Sequence, residues 1–338
     1  MFHRLAIHLC LWAGLVAVAV SCGKGPALPE GQGESVPVTF SIGLPDAART
    51  KAISDGLGAT KLLLYAYDAN GTYLPALKIE EADAFQTRAA TAKLTLVKGM
   101  TYSFVFVAVN PGASAYTVSA EDKSLTVDYA ALTANDDRYD LFTASLLNYE
   151  VTGSFTKNIT LTRPFAQVNV GVPEADYLVA KNSGIKVEEI TSSYTFSSLG
   201  TVYDLLAQKV SSNAAASVTV PAALRPVAEK LVVGANSYPY MAMAYVLVPR
   251  DASNPDNRAT VDVELTLGVE TVSGVAHTLV RGVTNAPIQK NYRTNIVGSL
   301  FGVSGTFHIY IDQNFRGDIG DSDGNVELVG IQDWGQLN

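Results

Sequence analysis

Two residues near the start of the chain carry chemistry that their surroundings make usable. Cys22 follows Val20 and Ser21 at the edge of an apolar run, Leu5 to Val20, which itself follows Arg4. A basic residue, an apolar stretch and small residues before a thiol form the pattern of a bacterial export signal, residues 1–21, whose cysteine is lipidated and becomes the new N-terminus. The run is shorter than the about 20 apolar residues that a spanning helix needs. An ordinary signal peptide with an incidental cysteine is the competing reading. The second residue is Arg49, in Pro45-Asp46-Ala47-Ala48-Arg49-Thr50. An arginine among small residues in an accessible loop is a substrate for a trypsin-like protease, which would cut between Arg49 and Thr50.

Little else is reactive. Of two cysteines, Cys10 lies inside the signal, so Cys22 has no partner for an intramolecular disulfide. Of four histidines, His277 and His308 remain beyond the signal, and neither has a second histidine or a cysteine at metal-ligand spacing. The chain lacks G-x-S-x-G, a Walker A loop and H-E-x-x-H. The sequence therefore predicts no catalytic residues, no cofactor and no metal, and an enzyme is the weakest reading. Asp321-Ser322-Asp323-Gly324-Asn325-Val326-Glu327 alternates oxygen ligands like a fragment of a calcium loop. It lacks the closing bidentate glutamate, and a solvated acidic turn is the plainer reading. Asn158-Ile159-Thr160 fits the glycosylation pattern, a chance match in a bacterial chain.

The net charge is −8; without the signal, 23 basic face 32 acidic side chains, for −9. That balance argues against nucleic acid, whose phosphates need a basic face. It suits an exposed, soluble surface protein.

The elements that must position Cys22 and Arg49 are strands. Gly- and Pro-rich residues 22–34 read as a flexible tether. Val36, Val38, Phe40 and Ile42 then alternate with Ser35, Pro37, Thr39 and Ser41, which gives a strand with one apolar face just before the Arg49 loop. Short strands follow throughout. Leu62–Tyr67 precedes an Asn70-Gly71 turn, and Ala92–Val97 precedes a Lys98-Gly99 turn. The nearly all-apolar run Thr101–Val109 predicts a central strand covered on both faces. A helical or irregular patch is expected at Ser124–Asn135 and a short helix from Pro173 to Lys181, stopped by Asn182-Ser183-Gly184. Further strands are expected near 185–195, 202–210, 216–220, 241–248, 259–270, 275–281 and 306–312. Tyr65, Tyr67 and Tyr102 read as core residues of their strands rather than a sugar-stacking platform. Strand count and length give an all-β chain of two β-sandwiches.

Several stretches together resemble the fimbrillin family, the pilin subunits of type V pili in Bacteroidales. They are the Cys22 signal, the Arg49 loop, Tyr139–Ser145 (YDLFTAS), Leu161–Val170 (LTRPFAQVNV), Tyr240–Pro249 (YMAMAYVLVP), Ala286–Gly302 (APIQKNYRTNIVGSLFG) and the strand Phe307–Asp312. LTRPFAQVNV and NYRTNIVGSL carry most of the weight.

The resemblance implies two tandem transthyretin-like sandwiches, at 50–168 and 169–320, preceded by a removable first strand and cleavage loop at 35–49. It implies export as an outer-membrane lipoprotein held by its lipid anchor, cleavage after Arg49 by an arginine-specific protease, and loss of the strand bearing Val36, Val38, Phe40 and Ile42. A strand from another pilin subunit of the same or a related type then fills the groove, which gives a head-to-tail fimbria for adhesion. Two segments compete as donor strand: Phe307–Asp312, which reads as core, and the tail 321–338, whose Val326, Leu328, Val329 and Ile331 follow a polar hinge; the tail is favoured. Arg293 is expected either to pair with a carboxylate inside the second domain or to be solvated. The competing functions are a tip adhesin or anchor of the same pilus and a surface glycan-binding lipoprotein. The receptor is not legible.

Overall fold

The structure is a computed structural model describing residues 33–45, 56–226, 230–250, 258–302, 305–313 and 326–332. Cys22, Arg49, Thr50 and most of the acidic 321–327 turn lie outside the described residues.

The first half contributes β1 (Ser35–Gly43), β2 (Lys61–Tyr67), β3 (Ile79–Glu81), β4 (Ala89–Val97), β5 (Thr101–Val109), β6 (Tyr116–Ser119), β7 (Ser124–Val127), β8 (Phe142–Glu150) and β9 (Phe155–Thr160). The second contributes β10 (Ala166–Gly171), helix α1 (Glu174–Asn182), β11 (Thr191–Phe196), β12 (Gly200–Asp204), β13 (Lys209–Asn213), β14 (Val218–Leu224), β15 (Lys230–Val233), β16 (Asn236–Val246), β17 (Arg258–Glu270), β18 (Ala276–Gln289), β19 (Tyr292–Gly298), β20 (Gly305–Gln313) and β21 (Val326–Gln332).

The fold is all-β and sandwich-like, as expected. In the first half, a three-stranded sheet, β4-β1-β9, faces a four-stranded sheet, β3-β2-β5-β8, across one apolar core. In the second half, the sheets β15-β16-β10-β19-β20-β21 and β14-β11-β17-β18 enclose another. A fifth sheet, β13-β12-β7-β6, takes two strands from each half. It lies where β2 and β5 turn their second face: Leu63, Tyr65, Tyr67, Val105 and Val107 join the larger core with Leu125 and Tyr203. Leu62, Leu64, Phe104 and Phe106 line the smaller one. The continuous apolar run of β5 thus has a burial reason on each side, and Tyr65, Tyr67 and Tyr102 are all buried.

Helix α1 forms where its signals stand. Glu174 and Asp176 occupy the first turn and Lys181 the last, each favourable to the helix dipole. Gly184, at φ +88°, takes the chain out of the helix in the left-handed region that suits glycine. The patch 124–135 differs from expectation, because it opens with β7. β7 pairs with β6 in a local hairpin, Tyr116↔Val127 to Ser119↔Ser124, and on its other edge with β12 of the second half, in register Val202↔Thr126. The strand expected near 185 begins only at Thr191. Its lead-in is held by bonds to β17, with Lys186 N–H donating to the Glu270 carbonyl at 2.8 Å.

Candidate functional site

β1 is the first strand among the described residues and the central strand of its sheet. It pairs antiparallel with β4 along its whole length, Ser35↔Val97 to Gly43↔Ala89, and parallel with β9 from Val38↔Phe155 to Gly43↔Thr160. Bonds flanking the strand extend both ladders: Lys98 N–H donates to the Glu34 carbonyl at 2.8 Å, and Leu161 N–H to the Gly43 carbonyl at 2.9 Å. β4 and β9 do not pair with each other, so β1 alone joins them. If β1 were withdrawn, two strand edges would face an empty lane of unpaired N–H and C=O groups.

Alternation turns every second residue of β1 into the core. Val36, Val38, Phe40, Ile42 and Leu44 are exposed by 6, 1, 0, 1 and 7%. The four expected residues point inward together, and Leu44 is a fifth. The sequence reading named the inward residues only as far as Ile42, although the same period-two pattern runs on to Leu44. Phe40 is the deepest anchor. Its ring lies 5.0 Å from that of Phe104, 5.1 Å from Phe106 and 5.8 Å from Phe155, all tilted or edge-on. Offset and edge-on aromatic contacts add to the burial term. Each fully buried side chain of this size contributes about 1.5–3 kcal/mol.

The exit of β1 is pinned at one point. Leu44 N–H donates to the Arg88 carbonyl at 2.9 Å, and the Arg88 guanidinium Nη2 donates to the Pro45 carbonyl. Arg88 itself sits at φ +63°. Neither role had a local sequence signal, since both depend on a residue more than forty positions downstream.

The favoured donor segment is strand β21. It lies antiparallel on β20, from Gly305↔Gln332 to Ile311↔Val326, at the edge of the six-stranded sheet. Val326, Leu328, Val329 and Ile331 are therefore in an edge strand of this chain, in a different sheet from β1. The rival segment, Phe307–Asp312, lies within β20 between β19 and β21, with Phe307, Ile309 and Ile311 buried; it is a core strand.

The motifs that carry the resemblance meet at the junction of the two sandwiches. Asp140 of YDLFTAS accepts two bonds from Arg163 of LTRPFAQVNV, Nε to Oδ1 at 2.6 Å and Nη2 to Oδ2 at 2.7 Å, with both side chains buried. The guanidinium also lies over the Phe142 ring, 4.4 Å from its centre. Burial pushes the Asp140 carboxyl up, while Arg163 and the charge of Arg293 pull it back. Arg293 is buried and donates from Nε to Gln167 Oε1 at 2.9 Å. It is thus not a solvated loop residue; one of its hydrogen bonds goes to an amide, and the Asp140 carboxylate that its charge pulls on belongs to the first half. Asn291, at φ +63°, ties the same turn down by donating from its N–H to the Phe165 carbonyl at 2.8 Å.

Lys290 lies beside this cluster. Its Nζ donates to the Tyr203 hydroxyl and, at 2.9 Å, to the Gln208 carbonyl, and burial lowers the amine to about 8. Asn135 is a second clamp that sequence reading missed. Its backbone N–H donates to the Met243 carbonyl at 2.8 Å, and its Oδ1 accepts from Met243 N–H at 2.7 Å. Its Nδ2 donates to Ser192 Oγ at 2.9 Å and to the Leu224 carbonyl at 3.0 Å. One asparagine, at φ +62°, so bridges both sheets of the second sandwich.

No curated protein matches the sequence. Among solved structures, a candidate cell-adhesion protein from Parabacteroides distasonis is similar at 13% identity and TM-score 0.46, over 90% of this chain and 98% of its own. The tip fimbrial protein Mfa3 from Porphyromonas gingivalis is similar at 13% identity and TM-score 0.43, over 83% and 100%. The fimbrial anchor protein Mfa2 from the same organism is similar at 14% identity and TM-score 0.39, over 81% and 97%. These three are a cell-adhesion protein and two fimbrial proteins by their own descriptions. A family model matches residues 30–329, from the tether before β1 into β21, and by that match the chain belongs to DUF6562, a family of unknown function.

Proposed function

We propose that the chain is a structural subunit of a type V-like fimbria that assembles by strand exchange and serves adhesion, without enzymatic activity. It is made as a precursor, exported and lipidated at Cys22, and held at the outer membrane. An arginine-specific protease cuts between Arg49 and Thr50; β1 then leaves, and a strand from another pilin subunit takes its place. The tail that carries β21 is the strand this subunit offers to a neighbour. The assembled fimbria is extracellular.

The observation that supports this reading is the position of β1. The first strand among the described residues fills the middle of a sheet, seats apolar residues in one core together with Leu44, and precedes Arg49 in sequence. A replacement strand regains both the backbone ladder and the apolar burial. Because donor and acceptor surfaces differ, the contact is heterologous and extends rather than closes.

The test is proteolysis of the folded chain with an arginine-specific protease, followed by addition of a fluorescent peptide of sequence Ser35–Leu44. The expected result is a new N-terminus at Thr50 by mass spectrometry and peptide uptake only after the cut. An intact Arg49–Thr50 bond in folded protein, or a cut chain that takes up no peptide, defeats the reading.

A further inference from the structure

We infer that the slot under β1 accepts a strand from a different kind of subunit, and that the tail of this chain does not fit it. The inference rests on the strand-exchange reading above and specifies its partner.

The slot is defined by its present occupant. It has five inward positions, filled by Val36, Val38, Phe40, Ile42 and Leu44. The central one is an aromatic pocket walled by Phe104, Phe106 and Phe155. Ladders on both sides fix the register of any replacement, and a slip of one residue would turn every side chain to the wrong face.

The tail fails this pattern at its centre. In the register that fits best, Val326, Leu328, Gly330, Gln332 and Trp334 take the five positions. The first, second and fifth are apolar. Glycine falls where Phe40 sits, and glutamine where Ile42 sits. Glycine leaves the aromatic pocket empty, and glutamine brings an amide into a dry core. The opposite face of the tail offers Glu327, Val329, Ile331 and Asp333, with a carboxylate at each end. An empty phenyl pocket alone weakens binding by about a hundredfold or more. The fitting partner is an extended segment with five alternating apolar residues and an aromatic third, carried by another subunit. The tail of this chain in turn serves a slot of different shape, so the subunit joins a mixed fibre.

Two measurements on the protease-cut full chain test this. Fluorescence anisotropy compares a Ser35–Leu44 peptide, a Gly324–Trp334 peptide, and the latter with Gly330→Phe and Gln332→Ile. Binding of the tail peptide is expected to be at least about a hundredfold weaker than that of the β1 peptide, with most of the loss recovered by the two substitutions. Light scattering then follows the cut chain itself. The natural chain is expected to stay small, and the chain carrying Gly330→Phe and Gln332→Ile to grow into long oligomers. Tail binding equal to that of the β1 peptide, growth of the natural chain alone, or no gain from the substitutions overturns the inference and leaves strand exchange standing. Failure of the β1 peptide to bind defeats strand exchange itself, and the inference with it.

Discussion

The β1 slot and the sandwich junction are both buried, yet they are held by opposite means. The slot is apolar and aromatic, and its polar groups are backbone groups that any strand can satisfy. The junction is a set of charged and polar side chains, Asp140, Arg163, Gln167 and Arg293, with Lys290 and Asn135 nearby. Apolar burial is non-directional, so a slot of that kind can change occupants at modest cost. A buried ion pair with two short bonds accepts one partner only, because a lone buried charge is very unfavourable. On the strand-exchange reading proposed above, the molecule thus separates a surface suited to exchange from one suited to permanence. β9 connects them: it lines the slot beside β1, and the chain runs from it through Arg163 into β10.

Breaking the permanent side should give the largest effect. Asp140→Asn leaves the Arg163 guanidinium buried without its counter-charge and should destabilise the chain by about 3–5 kcal/mol in urea unfolding. The double change Asp140→Leu with Arg163→Met should recover most of that loss. If the single change proves harmless, the junction is not held by its buried charges. Phe40→Ala tests the other side. It should cost about 3–4 kcal/mol, and it should also speed uptake of a Ser35–Leu44 peptide by the cut chain, which Asp140→Asn should not do. Equal effects of both variants on uptake would dissolve the distinction between the regions.

The third test has the opposite sign. The folded Lys290 amine titrates near 8, below its ordinary 10.5, because burial disfavours the charge. Below pH 8 the folded state carries a charge it would rather lose; as pH rises from about 8 to 10.5, the unfolded chain holds the extra proton and stability climbs. At 1.36 kcal/mol per pH unit the climb amounts to about 3 kcal/mol. Lys290→Met should be the more stable protein at pH 7, and its advantage should vanish by pH 10.5. Parallel stability profiles for the two proteins would remove Lys290 from the junction's energetics.

The slot was the more legible of the two regions. Alternation along 35–42 gave the inward face of β1 directly, and the apolar run of β5 announced a strand covered on both sides. The junction was opaque for a physical reason. Asp140, Arg163 and Arg293 stand in three stretches that look distinctive in sequence, but nothing local says that they converge. Arg293 could be read only as paired or solvated, and its amide partner Gln167 lies 126 positions away. β7 was missed in part for the same reason: besides its hairpin with β6, it pairs with β12 across the two halves. Asn135 and Arg88 act through backbone groups, which leave no residue-type signature in the segments they hold.

The central place of β1 also bears on how the chain is made. β1 is synthesised first, yet its parallel neighbour β9 begins only at Phe155, after the whole of the facing sheet. At about 5–20 residues per second, on the order of ten seconds of synthesis separate the two. The three-stranded sheet cannot close until then, so its long-range ladder is a late event of folding. β4 can pair with one edge of β1 early, but the nascent chain must leave the other edge without β9 through that interval, open to any stray strand. On the proposed strand-exchange reading, the last motion of folding and the first motion of assembly are the same movement run in opposite directions, and a factor that shields β1 would also set how long the subunit stays inert.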